Sequence, residues 1–327
     1  MLRVPTLTIP DVFPNPDAVR SLGDNQHGYE PEFWEFQYEI YRYLSRVKEL
    51  DLVARYKSII RNMCALISPD RHIIPIQSFL SSWYWYRKEH QTRLEFFLRG
   101  TSVPVELPVG ILDDAPVAAP ARPRHQNAAD VLFRYGPSQR MQAMVERGSI
   151  RIGPASFYRD LEHDEARADE ERAKNSFVSG QYTRITTQEG KEIPIIGDVR
   201  RTVSAPDYFV LCMSCDWDPA LFDDFGADSC VIVRDPEAFA QRLELAVKRI
   251  LDDCYFHHNP VEYFDPYEMP RHHYFNASMC KDFCFAYQRE YRFLWMHPDG
   301  READEFKFLE LGPLDGIAEI HFRKQII

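Results

Sequence analysis

The segment from Phe283 to Met296 carries the residues best suited to chemistry. Aromatic and aliphatic residues dominate it, without Gly or Pro, which predicts a strand. Side chains alternate between faces along a strand. Tyr287, Arg289, Tyr291, Phe293 and Trp295 then share one face, and Gln288, Glu290 and Arg292 the other, followed by Leu294 and Met296. An amide, a carboxylate and a guanidinium in a row beside apolar neighbours suit the wall of a cleft. The same row also fits a solvent-facing cross-strand salt pair. Two further segments offer polar residues at strand ends: Phe133, Arg134 and Tyr135, and the run from Gly153 through Pro154, Ala155, Ser156 and Phe157 to Tyr158.

Metal chemistry is the other candidate. Cys212 with Cys215, and Cys280 with Cys284, have spacings that zinc tolerates, and His257, His258, His272 and His273 lie between the pairs. Cys212 and Cys215 fall three apart in a strand-like run, however, and so point to opposite faces. The reading is no metal site, with a metal-dependent hydrolase or nuclease on the 254–284 Cys/His cluster as an alternative. Trp83, Tyr84, Trp85 and Tyr86 could stack a base, but read as a packing seam between helices.

These residues need a scaffold, and 327 residues provide room for two domains or one large one. A composition of 45% hydrophobic and 27% charged residues is that of a folded soluble protein, and 13% aromatic residues argue for a well-built core or aromatic-lined clefts. The net charge of -11 argues against a broad electrostatic grip on nucleic acid and leaves room for a local basic groove. No apolar run approaches a membrane span, and the first residues carry prolines where a signal peptide needs an apolar helix, so a cytoplasmic protein is expected. Seven cysteines, mostly in apolar contexts, fit reduced thiols.

Residues 1–30 are rich in Pro, Asp and Asn and read as irregular. Over 31–67, Phe36, Ile40, Tyr43, Val47, Leu50, Tyr56, Ile59, Ile60 and Met63 recur at spacings of three and four, which predicts a helical segment ended by Pro69. A second helix is expected over 77–98. Residues 101–128 are rich in Pro and Ala and read as a linker. The chain then divides into a helical module over 1–100, that linker, and an α+β module over 129–327.

The second module is expected to run as a strand at 129–135, a helix from Ser138 as cap to Gly148 as stop, and a strand at 149–153. A charged helix over 161–174 follows. Its opposite charges three and four apart suit a solvated surface, while an alternative puts Arg167, Asp169 and Glu170 at the edge of a cleft. Strands with a hairpin at Glu189 and Gly190 fill 176–216, with a strand at 228–234 and a helix at 235–256. A loop rich in Tyr, Phe, His and Pro, readable as a lid or as ordinary packing, leads to the 283–296 strand. A hairpin at Asp299 and Gly300 and two strands finish the chain. The pattern is mixed and largely antiparallel, without βαβ alternation or a Gly-rich phosphate loop.

This order, with its late Gln-x-Glu strand, resembles the cholera-toxin-type side of the ADP-ribosyltransferase fold. More closely, it is similar to an uncharacterised bacterial domain family frequent in toxin and defence loci. The residues that carry the resemblance are Leu132 to Tyr135, Ile152 to Phe157, Ala166 to Glu170 and Gln288 to Arg292, and it covers about 129–325. It implies a split-sheet ADP-ribosyltransferase-like domain that uses NAD as substrate, cleaves the nicotinamide–ribose bond and passes ADP-ribose to an acceptor. Such a transition state is oxocarbenium-like and calls for a nearby carboxylate.

By that resemblance Glu290 is the carboxylate and the acceptor of the ribose 2′-hydroxyl, and Gln288 orients the acceptor. Arg134 meets the phosphates or the adenosine ribose through a forked contact. Ser156 supports the nicotinamide side or holds Glu290, Tyr135 or Phe157 stacks on the nicotinamide ring, and Arg292 joins the cofactor-binding set. Pro-Ala-Ser stands where the family's toxins have Ser-Thr-Ser. Gln288 in place of a second Glu argues by analogy against arginine as acceptor, leaving asparagine, a hydroxyl or a nucleobase. The implied setting is a toxin or antiphage effector, with a protein or nucleic-acid acceptor and an antitoxin or other inhibitory partner. The competing expectation is a non-catalytic nucleotide- or partner-binding module. A Glu290 that shares a pocket with Arg134 favours catalysis; a Glu290 neutralised by Arg292 on a solvated face opposes it.

Overall fold

The computed structural model describes residues 30–65, 83–104, 130–159, 171–180, 183–268 and 276–323. Among the described residues three helices come first: α1 (Pro31–Ile40), α2 (Glu49–Ala65) and α3 (Tyr84–Arg99). The single helical segment expected over 31–67 is thus broken at 41–48. Arg99 explains how the break is tolerated: its guanidinium donates to the carbonyls of Leu44 and Val47 at 2.6 and 2.7 Å, partners that the helix would otherwise supply. Trp83, Tyr84, Trp85 and Tyr86 are all buried in the seam between these helices.

The α+β part follows. It contains β1 (Leu132–Gly136), α4 (Ser138–Arg147), β2 (Ser149–Pro154), the short α5 (Ser156–Arg159), β3 (Ala173–Ser179), β4 (Ile185–Thr186), β5 (Glu192–Ile193), β6 (Asp198–Ser204) and β7 (Phe209–Ser214). It continues through α6 (Ala220–Asp224), β8 (Ser229–Val233), α7 (Pro236–Val247), β9 (Tyr255–Pro260), β10 (Glu262–Phe264), β11 (Cys280–Asp282), β12 (Glu290–Met296), β13 (Lys307–Glu310) and β14 (Ala318–Phe322). The architecture is α+β, with a mostly antiparallel main sheet in the order β13, β2, β7, β1, β8, β14, and with β12 and β9 extending it from β7. Among the described residues no helix is long and apolar enough to cross a membrane.

Gly148 closes α4 in the left-handed conformation (φ 69°), as its position predicts. Ser138 does not cap that helix through its side chain; its N–H and hydroxyl both face the Asp228 carboxylate, at 2.6 and 3.1 Å. Residues 160–170, and with them Arg167, Asp169 and Glu170, lie outside the described residues. From Ala173 the chain is already a strand paired with β6, so the charged run does not continue as a helix to 174. The helix from 236 ends at Val247, and His257 and His258 stand on β9, hydrogen-bonded along β12, instead of in a lid loop.

β12 itself starts later than its composition suggests. Residues Phe283–Gln288 form a 3₁₀ turn, and Arg289 has a left-handed backbone (φ 44°) before the strand begins at Glu290. Three contacts hold this turn against the strong β propensity of its residues. The Asp282 carboxylate accepts from the Cys284 N–H at 2.9 Å. Asn62 on α2 donates to the carbonyls of Phe283 and Cys284 at 3.0 and 3.3 Å. Phe283 and Ala286 bury in the same core as Trp34, Leu52 and Ile59.

The helices are therefore joined to the sheet through this turn. Beside it, Arg55 holds Asp265 bidentately at 2.8 and 2.7 Å, and Lys88 pairs with the same carboxylate. Burial opposes that charge, but Arg55 and Lys88 outweigh it and keep the Asp265 carboxyl well below the usual carboxylate range.

Candidate functional site

The site arises where the main sheet splits. One edge of β7 pairs with β12 from Ser214 opposite Glu290 to Phe209 opposite Trp295. The other edge is shared. β2 pairs with it at Phe209 and Val210, and β1 only at Ser214. Between those points the ladder lapses, and Arg134 of β1 donates through Nη1 to the Cys212 carbonyl at 2.7 Å. A cleft of about 400 Å³ opens there.

The cleft brings together most of the residues singled out from sequence. Arg134, Tyr135, Phe157, Gln288 and Glu290 all line it. From Glu290 onward the expected alternation holds: Tyr291, Phe293 and Trp295 pack into the core with Phe239 and Leu243, while Glu290 and Arg292 turn to the other face. Gln288 reaches the cleft from the 3₁₀ turn and not from a strand face. Arg61 on α2 lies 3.7 Å over the ring of Tyr287, whose hydroxyl accepts from the Gln288 amide at 3.2 Å, so the helical layer fixes this side chain.

Glu290 is 5% exposed, and both its oxygens are engaged. Oε1 accepts from Arg292 Nε at 2.6 Å and Oε2 from Lys281 Nζ at 2.9 Å. Its backbone N–H donates to the Tyr263 hydroxyl at 2.8 Å. Burial works against the charge, but Arg292 and Lys281 overcome it and hold the carboxyl well below the usual carboxylate range. Lys281 also donates to Gln288 Oε1 at 3.0 Å, so one ammonium orients both groups. Glu171 completes the nest: it pairs with Arg292, and Lys281 and Lys174 stand 3.7 and 3.9 Å from its oxygens. Two buried carboxylates thus face three buried cations, so each carboxylate is paired and the nest carries one excess positive charge.

The other assigned residues separate. Ser156 does not line the cleft; its N–H donates to Asp207 Oδ1 at 3.1 Å, where it starts α5 and so turns Phe157 and Tyr158 inward. Arg292 is completely buried beneath the floor, giving Nη1 to the Ser278 carbonyl at 2.7 Å, so it holds Glu290 and is not at the surface of the cleft. Tyr135 lines the cleft, but its ring packs edge-on against Phe222 at 5.0 Å and its hydroxyl accepts from the Asp218 N–H. Phe157 is a half-buried ring of the cleft lining, braced edge-on by Phe306 at 4.7 Å, and the Arg151 guanidinium stands 4.3 Å from the Phe306 ring and 5.8 Å from that of Phe157.

Sequence reasoning missed Glu171, Lys281, Arg140, Arg151 and Cys212 as cleft residues. Burial raises the Cys212 thiol well above its ordinary range, so it is neutral in the cleft. Of the cysteines weighed as metal ligands, Cys212 lines the cleft, Cys215 packs against the opposite core and Cys280 is buried; among the described residues they do not gather into a metal-binding group. His272 and His273 lie outside the described residues. Comparison with known proteins finds no matching family model, curated protein or solved structure.

Proposed function

We propose that the chain is an NAD-dependent ADP-ribosyltransferase that modifies a protein or nucleic acid in the cytoplasm, as a toxin or antiphage effector. One observation carries the reading: the ionised Glu290 shares a cleft with Arg134. Arg140 and Arg151 stand on the same cleft of a chain whose net charge is -11, a local concentration of positive charge suited to a diphosphate. The half-buried Phe157 ring in the cleft lining suits a nicotinamide or adenine ring.

On this reading the C–N bond between nicotinamide and ribose breaks, the electron pair leaves with nicotinamide, and Glu290 stabilises the positive charge that grows on the ribose. A carboxylate has about four lone-pair sites, so the two taken by Lys281 and Arg292 leave capacity for the ribose 2′-hydroxyl. Gln288 is held beside it by Lys281 and Tyr287 and orients the acceptor. Because nothing in the cleft depends on a solvent-exposed carboxylate, the reading predicts activity that is flat through neutral pH.

A second reading, a non-catalytic nucleotide-binding module, is favoured by the same engagement of both Glu290 oxygens. Nicotinamide release separates the two. Glu290→Gln should lower kcat at least about 100-fold with KM near wild type, and Arg134→Ala should chiefly raise KM. Full activity in Glu290→Gln sinks the transferase reading. Tight NAD binding without release by the wild type selects the binding module.

A further inference from the structure

At the opposite end of β12 from the cleft, a second group of side chains converges. β9 and β12 pair antiparallel to Met296 opposite Tyr255, and the next positions in that register are His297 and Cys254. Asp253 precedes Cys254. The three donor atoms form a compact triangle. Cys254 Sγ lies 3.4 Å from His297 Nδ1, His297 Nδ1 lies 3.4 Å from Asp253 Oδ1, and Cys254 Sγ lies 4.0 Å from the same Oδ1.

We propose that Asp253, Cys254 and His297 form a binding site for a zinc-class divalent cation. Bonds of about 2.3 Å to sulfur and about 2.0–2.2 Å to nitrogen and oxygen place tetrahedral ligands about 3.3–3.6 Å apart. Two edges of the triangle already have that length, and the third exceeds it by a few tenths of an ångström, within reach of a rotation of the half-exposed Asp253. Thiolate, imidazole and carboxylate together are a donor set for zinc or cobalt and not for calcium or magnesium.

The surroundings are prepared for ligation. The His297 ring stands edge-on against the buried Phe209 at 6.2 Å, which fixes its plane. Asp253 Oδ2 is held by Arg301, which is itself anchored to Asp299 Oδ2 at 2.8 Å. That leaves Oδ1 facing the thiol and the imidazole, as an outer partner orients a ligating carboxylate. With a thiolate, a carboxylate and a dication the first sphere is neutral, and Arg301 with Asp299 adds no net charge. Three protein donors leave a fourth position for water.

The site lies away from the cleft. The seven residues of β12 put it about 20 Å from Glu290. Its role is to tie the turn before β9 to the end of the strand that starts with Glu290. Asp253 and Cys254 come from the turn, His297 from the strand, and no hydrogen-bond ladder extends beyond Met296 to join them.

The test uses the untagged full chain, stripped with a chelator and titrated with Co²⁺ and with Zn²⁺, alongside Cys254→Ser and His297→Gln. The wild type should bind one equivalent and develop a thiolate-to-cobalt absorption band. Both variants should lose the band and bind zinc at least about tenfold more weakly. In chelator all three should melt together, which shows the variants folded, and zinc should raise the midpoint of the wild type alone. No stoichiometric binding by the wild type overturns the proposal. So does a cobalt–thiolate band or a zinc-dependent midpoint that survives in Cys254→Ser, because the metal is then held by other cysteines.

Discussion

Arg292 is the residue on which the charge balance of the cleft turns. It is 0% exposed and spends Nε on Glu290, Nη1 on the Ser278 carbonyl and Nη2 on Glu171. Replacing it with Met keeps the volume and removes the charge, so that Lys281, with Lys174 farther off, must serve two buried carboxylates. The count of charges is then even, but each carboxylate has lost its shortest ion-pair partner, and removing one partner of a buried ion pair costs about 3–5 kcal/mol. At about 2 °C per kcal/mol for a chain of this size, the melting midpoint of Arg292→Met should fall by roughly 6–10 °C at neutral pH.

The pH dependence identifies the cause. In the wild type Glu290 is depressed below its ordinary value of 4.5, so its favourable contribution is present above that pH and is lost only in stronger acid. In Arg292→Met burial is less opposed and the folded-state value rises. Glu290 then contributes less at neutral pH, and the two proteins converge once the carboxyl is protonated in both. The gap between the two proteins should therefore be constant at neutral pH and narrow in acid, as the pH falls through the raised folded-state value of the variant. Adding Glu290→Gln to Arg292→Met should cost less than the sum of the single changes by about 0.5–3 kcal/mol. Thermal melts of the four proteins across pH provide the assay. A cost that is additive and independent of pH would refute the electrostatic argument and leave Arg292 as packing.

Three further outcomes follow from the geometry. Arg134→Ala removes both the bond to the Cys212 carbonyl and the cationic side of the cleft, and the loss of a charge-assisted contact of about 1.5–3 kcal/mol predicts NAD binding weaker by roughly 10- to 150-fold in calorimetry. Arg61→Ala loosens Tyr287 and so removes one of the two holds on Gln288, leaving Lys281; label transfer should fall while nicotinamide release is largely kept, and equal loss of both would contradict the role given to Gln288. Gly148→Ala puts a side chain on a left-handed residue, 2.7 Å from Leu311 Cβ and closer still to the Gly312 carbonyl, so denaturant melts should show a loss of more than about 1–2 kcal/mol.

The elements built from local signals were legible in the sequence. Gly148 ends α4, Gly190 turns the β4–β5 hairpin, and the alternation from Glu290 to Met296 separates the Tyr291–Phe293–Trp295 core from the face that carries Glu290 and Arg292, each because the deciding information lies within a few residues. The break at Arg289 was not, because Asn62 sits more than two hundred residues before the carbonyls it holds. Glu171 and Lys281 were not either. A carboxylate in a charged run reads as solvated, and a lysine in an aromatic loop carries no spacing signal; only the fold brings both to Arg292 and Glu290. The cleft residues on β1 and β12 were found in advance because strand ends expose polar residues in a recognisable order. Arg140 and Arg151, beside ordinary helix and strand positions, offered no such order. The Asp253, Cys254 and His297 group was hidden for a similar reason, since its register exists only once β9 pairs with β12.

The central claim is that Glu290 acts on NAD in the cleft it shares with Arg134. The direct measurement is incubation of wild type and Glu290→Gln with labelled NAD, total cell protein and RNA. Transfer of label by the wild type, and its loss in a folded Glu290→Gln, is the predicted result and identifies the acceptor class. Equal transfer by both proteins, or neither transfer nor nicotinamide release by a folded wild type freed of any inhibitory partner, would contradict the account.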